Sequence, residues 1–219
     1  MQMSKLPVDS FGRYYAKGRE LCTADVSIGG VTMVLATSHL VTAPSSLFIP
    51  RGKSMTYRFW NSDERVSQAR KCLRILRRLP NVIFCGDMNW DEKVDGSFPL
   101  WMHGGWVDAW DELRPYEDGW TYDTRGNPML LANKKLQKRL DRFVCRLADF
   151  EMDAIEMIGK EAVPGVSYVK DKTVAGVACK VILPVLPSDH YGLILTITRR
   201  QAGSASSDSE PQPEESESE

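Results

Sequence analysis

The chain of 219 residues has a net charge of −1, and 42% of its residues are hydrophobic, which is typical of a globular domain rather than of a disordered or fibrous protein. No apolar run approaches the roughly 18 residues that a membrane-spanning helix requires, so we expect no membrane insertion. The five cysteines are scattered and none forms a C-x-x-C pair. This pattern favours free thiols in a reducing compartment over disulfides or a zinc site.

Acidic residues are concentrated at the end of the chain. Residues 201–219 contain one Asp, five Glu and no basic residue, so they contribute −6 to the total of −1 and leave +5 for residues 1–200. We predict one folded domain over residues 1–200 and a disordered acidic tail over residues 201–219, because the tail has little apolar surface to bury. A mildly basic domain suits a polyanionic partner, and the tail is a candidate for protein contacts.

The first half of the domain is predicted to contain a β-hairpin, a long loop and a helix. Residues 1–19 are expected to be irregular. Residues 20–27 and 31–37, separated by Gly29-Gly30, have the pattern of a hairpin. Residues 41–60 predict a long surface loop, a kind of segment that is often functional. The polar sequence Asn61-Ser62-Asp63-Glu64 is typical of a helix start, and an apolar face follows it.

The second half contains several predicted strands. An apolar run over residues 82–85 follows the helix and indicates a buried strand. Further strands are predicted over residues 140–147, 181–186 and 193–198, whereas residues 155–166 are ambiguous. Three tryptophans between these strands, Trp101, Trp106 and Trp110, are expected to lie in the core. This mixture of helix and strand predicts the α/β (α+β) class.

Polar residues follow three of the predicted strands, and together they suit the hydrolysis of a phosphate ester. Thr37-Ser38-His39-Leu40 ends the hairpin, Gly86-Asp87-Met88-Asn89 ends the buried strand, and Pro187-Ser188-Asp189-His190 precedes the last strand. Cleavage of a phosphodiester needs an activated water, neutralisation of charge on the non-bridging oxygens and help for the leaving oxygen. One site built from the three turns could supply all of these.

The residue types in these turns suggest individual roles. Asp87 is suited to accept the proton of the attacking water, and Asn89 points to the same side of an extended chain. His190 and His39 can donate hydrogen bonds to the phosphate as its charge builds. Asp189 could bind a cation, and the guanidinium of Arg19 could hold a phosphate through two parallel hydrogen bonds.

Ordinary structural roles are the alternative for each of these residues. The three turns could contain only turn formers, caps and strand-end histidines, and Arg19 could be a surface cation. Asp123 and Asp141 are further candidates for ligands or bases. Because Arg139 and Arg142 flank Asp141, we expect that carboxylate to form an ion pair beside the site.

Several motifs resemble the endonuclease/exonuclease/phosphatase superfamily over roughly residues 10–198. The Gly-Asp-x-Asn and Ser-Asp-His stretches resemble its two late signature motifs. Within the superfamily, the chain is most similar to the tyrosyl-DNA phosphodiesterase 2 branch, particularly its plant forms. The supporting stretches are Lys17-Gly18-Arg19, Thr37-Ser38-His39-Leu40, Val107-Asp108-Ala109-Trp110, Trp120-Thr121-Tyr122-Asp123, Arg139-Leu140-Asp141-Arg142 and residues 187–193.

This resemblance implies a four-layer α/β sandwich of two facing mixed sheets with helices outside. It implies Mg²⁺-dependent hydrolysis (with Mn²⁺ as the alternative) of the bond between a DNA 5′-phosphate and tyrosine, in the repair of topoisomerase adducts. The implied catalytic residues are Asp87, Asn89, His190 and His39, the implied metal residue is Asp189, and the implied substrate-binding residues are Arg19, Leu40, Thr42, Trp90, Tyr122 and Leu140. A monomeric nuclear protein is implied, with the cytoplasm as the alternative location.

Three departures from the family pattern bear on activity. Val41 stands where the family usually has Glu, and Asp91 stands where some members have a basic residue. The Asn of the family's first strand and the Glu that binds magnesium have no counterpart before residue 19, and Glu20 lies on another element. We therefore expect the chain to match the C-terminal two-thirds of the domain and to hydrolyse its substrate poorly.

Two other functions fit the same pattern. The chain could be another enzyme on this scaffold, such as an AP endonuclease, a deadenylase or an inositol-phosphate phosphatase. It could also be a non-catalytic remnant that binds DNA or protein.

Overall fold

The structure, a computed structural model, describes residues 2–16, 18–42, 54–130, 135–174 and 177–201. The predicted tail beyond residue 201 and most of the predicted loop over residues 41–60 lie outside the described residues. Within the described ranges, no helix is both long and apolar enough to cross a membrane.

Twelve strands and three α-helices make up the part of the chain that the structure describes. The strands are β1 (Val8–Ala16), β2 (Arg19–Ile28), β3 (Val31–Ser38), β4 (Asn81–Asp87), β5 (Val107–Asp108), β6 (Tyr122–Asp123), β7 (Gln137–Lys138), β8 (Asp141–Leu147), β9 (Phe150–Ile158), β10 (Ser167–Val174), β11 (Val177–Pro184) and β12 (Gly192–Arg199). The helices are α1 (Ser54–Leu76), α2 (Glu92–Asp95) and α3 (Ala109–Leu113), and a short 3₁₀ helix spans Leu100–Met102.

A six-stranded mixed sheet forms the centre of the molecule. Its strand order is β1-β2-β3-β4-β8-β5, and β3 and β4 are its parallel pair. The α1 helix provides the crossover that this parallel pair requires. Because β3 and β4 are parallel, their carboxyl ends meet at one edge of the sheet, and the polar turns after Ser38 and Asp87 come together there.

One face of the central sheet packs against α1. The helix contributes Ala69, Cys72, Leu73 and Leu76, each of which is 0% exposed. The sheet residues buried on this face include Leu21, Val34, Ala36, Val82, Phe84 and Val144. The apolar stripe of the helix therefore covers β2, β3, β4 and β8, which explains why residues 82–85 form a continuous apolar run.

The antiparallel pair β9–β12 covers the opposite face of the central sheet. Phe150 and Ile155 of β9 are each 1% exposed and pack with Val26, Met33 and Ile83. Alternate residues of β12 point inward, as expected for a strand with one buried face. The two remaining pairs, β10–β11 and β6–β7, lie outside this core.

Helix, sheet and second sheet account for three layers of the predicted four-layer α/β sandwich. Among the described residues, no helix covers the outer face of β9–β12, which carries Glu151, Asp153 and Glu156. The predicted class is confirmed, since the architecture is α+β with a large mixed sheet.

Three local predictions differ from the structure. Residues 8–16 form β1 rather than an irregular segment, because they pair in register with β2 and Arg13 forms an ion pair with Glu20 at 2.5 Å. The α1 helix begins at Ser54 instead of Asn61. Trp106 and Trp110 are buried as expected, but Trp101 is 73% exposed.

Candidate active site

The turn after β4 is held against the turn after β3. Gly86 has φ +141°, and a side chain there would collide with the carbonyl oxygen of Ser38, so only glycine permits this approach. The N–H of Leu40 donates to the carbonyl of Asp87 at 3.0 Å. The backbone therefore fixes His39 and Asp87 as neighbours.

Asp87 lies at the centre of the site. Its Oδ1 accepts a hydrogen bond from the N–H of Asn89 at 2.8 Å, and its Oδ2 lies 3.4 Å from Nε2 of His39. Burial raises the pKa of Asp87 above its ordinary value, and the nearby Asp141 carboxylate raises it further. A carboxylate with a raised pKa is a stronger proton acceptor, which suits a general base.

Asn89 adopts a left-handed backbone conformation with φ +48°, which Asn tolerates better than most residues. Its Nδ2 donates to the carbonyl of Leu40 at 3.1 Å, which uses one of the two amide hydrogens. The carboxamide is thus oriented by the β3 turn while it stays beside Asp87.

His190 joins the same site through Asp141. The register of β4 and β8 pairs Asp87 with Asp141, and Nδ1 of His190 lies 2.7 Å from Oδ2 of Asp141. This hydrogen bond raises the pKa of His190, and the charges of Asp141, Asp87 and Asp189 act in the same direction. The ring of Tyr122 packs against the imidazole with a centroid distance of 5.2 Å. The structure thus brings His39, Asp87 and His190 together.

The expected ion pair of Asp141 with its flanking arginines is wrong. Arg139 and Arg142 bond instead to Asp108, with Nη1–Oδ distances of 2.7 and 2.8 Å. Asp108 is 2% exposed and lies on the short strand β5, beside β8. Because both arginines bond to Asp108, the partner of the Asp141 carboxylate is His190.

Two of the residues implied to bind substrate are buried beneath the site. Leu40 is 0% exposed, and Trp90 is 1% exposed with its indole N–H bonded to the carbonyl of Gly96 at 2.8 Å. Because both side chains are almost fully buried, their expected contact with substrate stays a prediction, although Trp90 also lines the polar groove beside Asp91.

The other implied substrate-binding residues lie nearer the surface. Tyr122 and Leu140 are half-buried, Tyr122 against His190 and Leu140 next to Asp141. Arg19 begins β2 at the end of the sheet where β3 finishes, and Thr42 is exposed beyond the β3 turn. These positions border the site at the same sheet edge.

Asp91, which replaces the basic residue of some family members, is paired with a cation. Nζ of Lys138 lies 2.7 Å from its Oδ2, and although burial opposes the effect, this bond lowers the pKa of Asp91. Both residues line a polar groove of about 600 Å³ beside Trp120 and Arg139. The groove runs next to the site but contains none of its catalytic candidates.

The described residues do not fit a metal site by themselves. No group of three or more His, Cys, Asp or Glu side chains among them is arranged to hold a metal ion. Asp189 is exposed and lies near the hydroxyl of Ser188, at 3.4 Å, and Asp141 is engaged by His190. The metal role expected of Asp189 therefore stays a prediction.

Two buried polar residues support the site and were missed by sequence reasoning. Thr121 is 1% exposed, and its hydroxyl oxygen accepts hydrogen bonds from the N–H groups of Leu140 and Asp141, each at 3.1 Å. Asn127, also 1% exposed, donates from Nδ2 to the carbonyl of Asp189 at 3.3 Å. Thr121 lies in the Trp120-Thr121-Tyr122-Asp123 stretch of the resemblance, which could have indicated it, whereas no local signal indicates Asn127.

Comparison with known proteins gives relatives of one kind. Tyrosyl-DNA phosphodiesterase 2 of Mus musculus is 27% identical over 188 residues, which are 82% of this chain and 41% of that protein. The Xenopus tropicalis protein of the same name is 29% identical over 184 residues, which are 80% of this chain and 40% of that protein. The chain thus spans about two fifths of the length of the curated relatives it matches. No protein-family profile matches the chain.

Solved structures show the same fold. The crystal structure of D. rerio TDP2 complexed with single-strand DNA product superposes with a TM-score of 0.64 at 24% identity, over 88% of this chain and 68% of that chain. An endonuclease/exonuclease/phosphatase family protein from Bacteroides thetaiotaomicron gives a TM-score of 0.56 at 14% identity, over 90% of this chain and 67% of that chain. The chain is therefore similar in sequence to tyrosyl-DNA phosphodiesterase 2 and has the fold of these solved structures.

Proposed function

We propose that this chain is a phosphodiesterase of the tyrosyl-DNA phosphodiesterase 2 type, which hydrolyses 5′-phosphotyrosyl DNA left by topoisomerases. The observation that carries the proposal is the convergence of Asp87, Asn89, His39 and His190 from three separate turns at one edge of the sheet. A carboxylate can accept the proton of the attacking water, and an amide and two imidazoles can donate hydrogen bonds to the phosphate oxygens.

In the proposed reaction, Asp87 removes a proton from a water molecule as the water oxygen bonds to phosphorus. The bond between phosphorus and the tyrosine oxygen breaks, and the phenolate leaves with a pKa of about 10, which makes it a tolerable leaving group. His190 and His39 donate hydrogen bonds to the phosphate oxygens while negative charge grows on them. Asn89 orients the water or a phosphate oxygen.

DNA is the proposed polyanion for two reasons. One solved structure of this fold is described as a complex with single-strand DNA product. The charge of +5 over residues 1–200 favours a polyanion. Tyr122 and Leu140 flank the site and could pack against the terminal nucleoside, a contact that tolerates any base.

The described part of the site lacks a set of three metal ligands. The family resemblance implies Mg²⁺, yet the described acidic residues do not form a three-ligand group. We propose that the chain by itself turns over poorly for this reason. The monomeric state, a nuclear location and protein contacts of the acidic tail belong to the same proposal.

Hydrolysis of a substrate panel tests the proposed function. Excess protein is incubated with 5′-phosphotyrosyl oligonucleotide, abasic duplex, poly(A) or inositol phosphates, in magnesium or manganese. We expect cleavage of the phosphotyrosyl substrate alone, with release of tyrosine, and a fall of about 100-fold to 10,000-fold for Asp87→Asn because the general base is lost.

The exposed Asp9 of β1 offers a matched control, since Asp9→Asn removes the same charge away from the site. Preferential cleavage of another member of the panel would replace this proposal with a different enzyme of the same scaffold. Equal rates for wild type and Asp87→Asn would contradict the assigned base.

A non-catalytic function is the second candidate, and the lack of a metal-binding group among the described residues favours it. In that case the chain would bind the phosphotyrosyl oligonucleotide with measurable affinity but release no tyrosine under any metal condition.

A further inference from the structure

We propose that Thr121 is a positioning residue that holds His190 and Asp141 in hydrogen-bonding register. The inference rests on the proposed function only in that the imidazole is assumed to act at the phosphate. Thr121 touches neither reacting group with its side chain, and its effect is transmitted through the backbone of both partners.

The side chain of Thr121 holds the Asp141 half of the pair. Its Oγ1 accepts from the N–H of Leu140 and from the N–H of Asp141, each at 3.1 Å. These two peptide groups lie at the start of β8, next to the Asp141 carboxylate that bonds to His190. A hydroxyl oxygen has two lone pairs, so one threonine can satisfy both donors.

The backbone of Thr121 holds the His190 half. Its carbonyl accepts from the N–H of Tyr191 at 2.7 Å, one residue after the imidazole. A single buried residue, 1% exposed, is therefore bonded to the segments that carry both members of the 2.7 Å His190–Asp141 bond. These segments lie about 50 residues apart along the chain.

The next residue strengthens the arrangement. Tyr122 packs its ring against the imidazole, with the ring planes tilted by 59°. Thr121 fixes the backbone and Tyr122 limits rotation of the ring, so the same short segment controls the position and the orientation of His190. Small displacements matter here, since a shift of about 1 Å can lower a catalytic rate about 100-fold.

Substitution by the isosteric valine tests the role of the hydroxyl. Thr121→Val keeps the shape but leaves two half-buried N–H groups without their acceptor, whereas Thr121→Ser keeps the oxygen. Thr23→Val is the matched control, because Thr23 is another buried threonine, 6% exposed, on β2. Thermal unfolding of each variant establishes that it is folded.

The main readout is the Nδ1–H proton of His190 in the NMR spectrum, which is shifted far downfield and exchanges slowly when bonded to a carboxylate. The chain has three histidines, so the signal is assigned by its absence in His190→Gln. We expect Thr121→Val to lose or shift this signal, and Thr121→Ser and Thr23→Val to keep it. An unchanged signal in folded Thr121→Val would overturn the proposal.

A measurement on the wild-type chain covers the case in which Thr121→Val does not fold. Hydrogen exchange should show the amides of Leu140, Asp141 and Tyr191 protected together, and rapid exchange at Leu140 and Asp141 would contradict the proposed contacts. Neither readout needs turnover, so a failure of the proposed function is seen separately. If the chain is active, Thr121→Val should lower kcat up to about 100-fold with little change in KM.

Discussion

At the scale of single residues, the site contains two pairs of a carboxylate and an imidazole, which are Asp87 with His39 and Asp141 with His190. The half-buried Asp87 lies next to His39, and His190 is bonded to Asp141, while the two carboxylates face each other across β4 and β8. Close carboxylates are unfavourable without nearby positive charge, and the imidazoles supply it when they are protonated. Burial and the facing Asp141 carboxylate raise the pKa of Asp87, and the bond to Asp141 raises the pKa of His190.

The raised pKa of His190 has a consequence for stability. The folded chain binds this proton more tightly than the unfolded chain, so the contribution is complete below the ordinary histidine pKa of about 6.5 and is lost as pH rises through the raised value. Asp141→Asn removes the partner. We expect the difference in free energy of unfolding between wild type and Asp141→Asn to shrink from about pH 6 to pH 9.

Urea unfolding of both proteins across this pH range checks the prediction. His103→Gln serves as the control, since His103 lies outside this site. A difference that stays constant, or that grows with pH, would contradict the assigned His190–Asp141 bond.

Most of the catalytic candidates could be predicted from the sequence, but their partners could not. His39 and Asp87 follow parallel neighbouring strands, so strand prediction placed them together, whereas His190 joins them from another sheet through its bond to Asp141. Asp141 was misjudged because neighbours in sequence, Arg139 and Arg142, suggested an ion pair. The alternation of side chains along β8 and the position of Asp108, which is distant in sequence, determine which charged groups form pairs. Neither can be recognised from the residues next to Asp141.

At the scale of elements, a buried ionic cluster joins β5 to β8. Asp108 is 2% exposed and accepts hydrogen bonds from Arg139, Arg142 and the N–H of Trp110 at the start of α3. Removal of this carboxylate would leave two guanidinium groups without their buried partner. We expect Asp108→Asn to lower the free energy of unfolding by about 3–5 kcal/mol.

Asp111 provides the matched comparison, because it also bonds Arg139, at 2.8 Å, but its side chain is 64% exposed. Asp111→Asn should cost less than about 1 kcal/mol, as is usual for an exposed ion pair. Denaturant unfolding measures both variants. Equal costs would show that burial does not determine the strength of this cluster.

The central sheet is covered less completely at its β1 edge than at its centre. Phe150 of β9 is 1% exposed, whereas Phe11 of β1 is 60% exposed on the same side of the sheet. We expect Phe150→Ala to cost about 3–5 kcal/mol through lost burial and a cavity, and Phe11→Ala to cost less than about 1 kcal/mol. Thermal and denaturant unfolding test this pair, and a large cost at Phe11 would indicate that β1 is covered in solution.

Strands with strong apolar patterns could be predicted, and weakly patterned ones could not. The β2–β3 hairpin and β4 agree with their predictions because buried β-branched residues and a Gly-Gly turn mark them. The β1 strand was missed because most of its side chains are exposed, so its pairing with β2 depends on backbone hydrogen bonds that leave no hydrophobic signal.

At the scale of the whole molecule, the fold brings polar turns from distant segments together at one end of the central sheet. The crossover from β3 through α1 to β4 brings two of the polar turns together, and the β8 pairing adds the third through Asp141. The fold class was predictable from the motifs. The resemblance also implied the two facing sheets, whereas the pairing of β9 with β12 depends on contacts between distant parts of the chain that no local pattern indicates.

The central claim is that the three turns surround a single phosphate at a DNA 5′ end. NMR titration with a single-stranded oligonucleotide bearing a 5′-phosphate, compared with the same oligonucleotide ending in a 5′-hydroxyl, tests it most directly. The account predicts phosphate-dependent shifts concentrated at His39, Asn89 and His190. Identical shifts from the two oligonucleotides, or phosphate-dependent shifts confined to other surfaces, would contradict it.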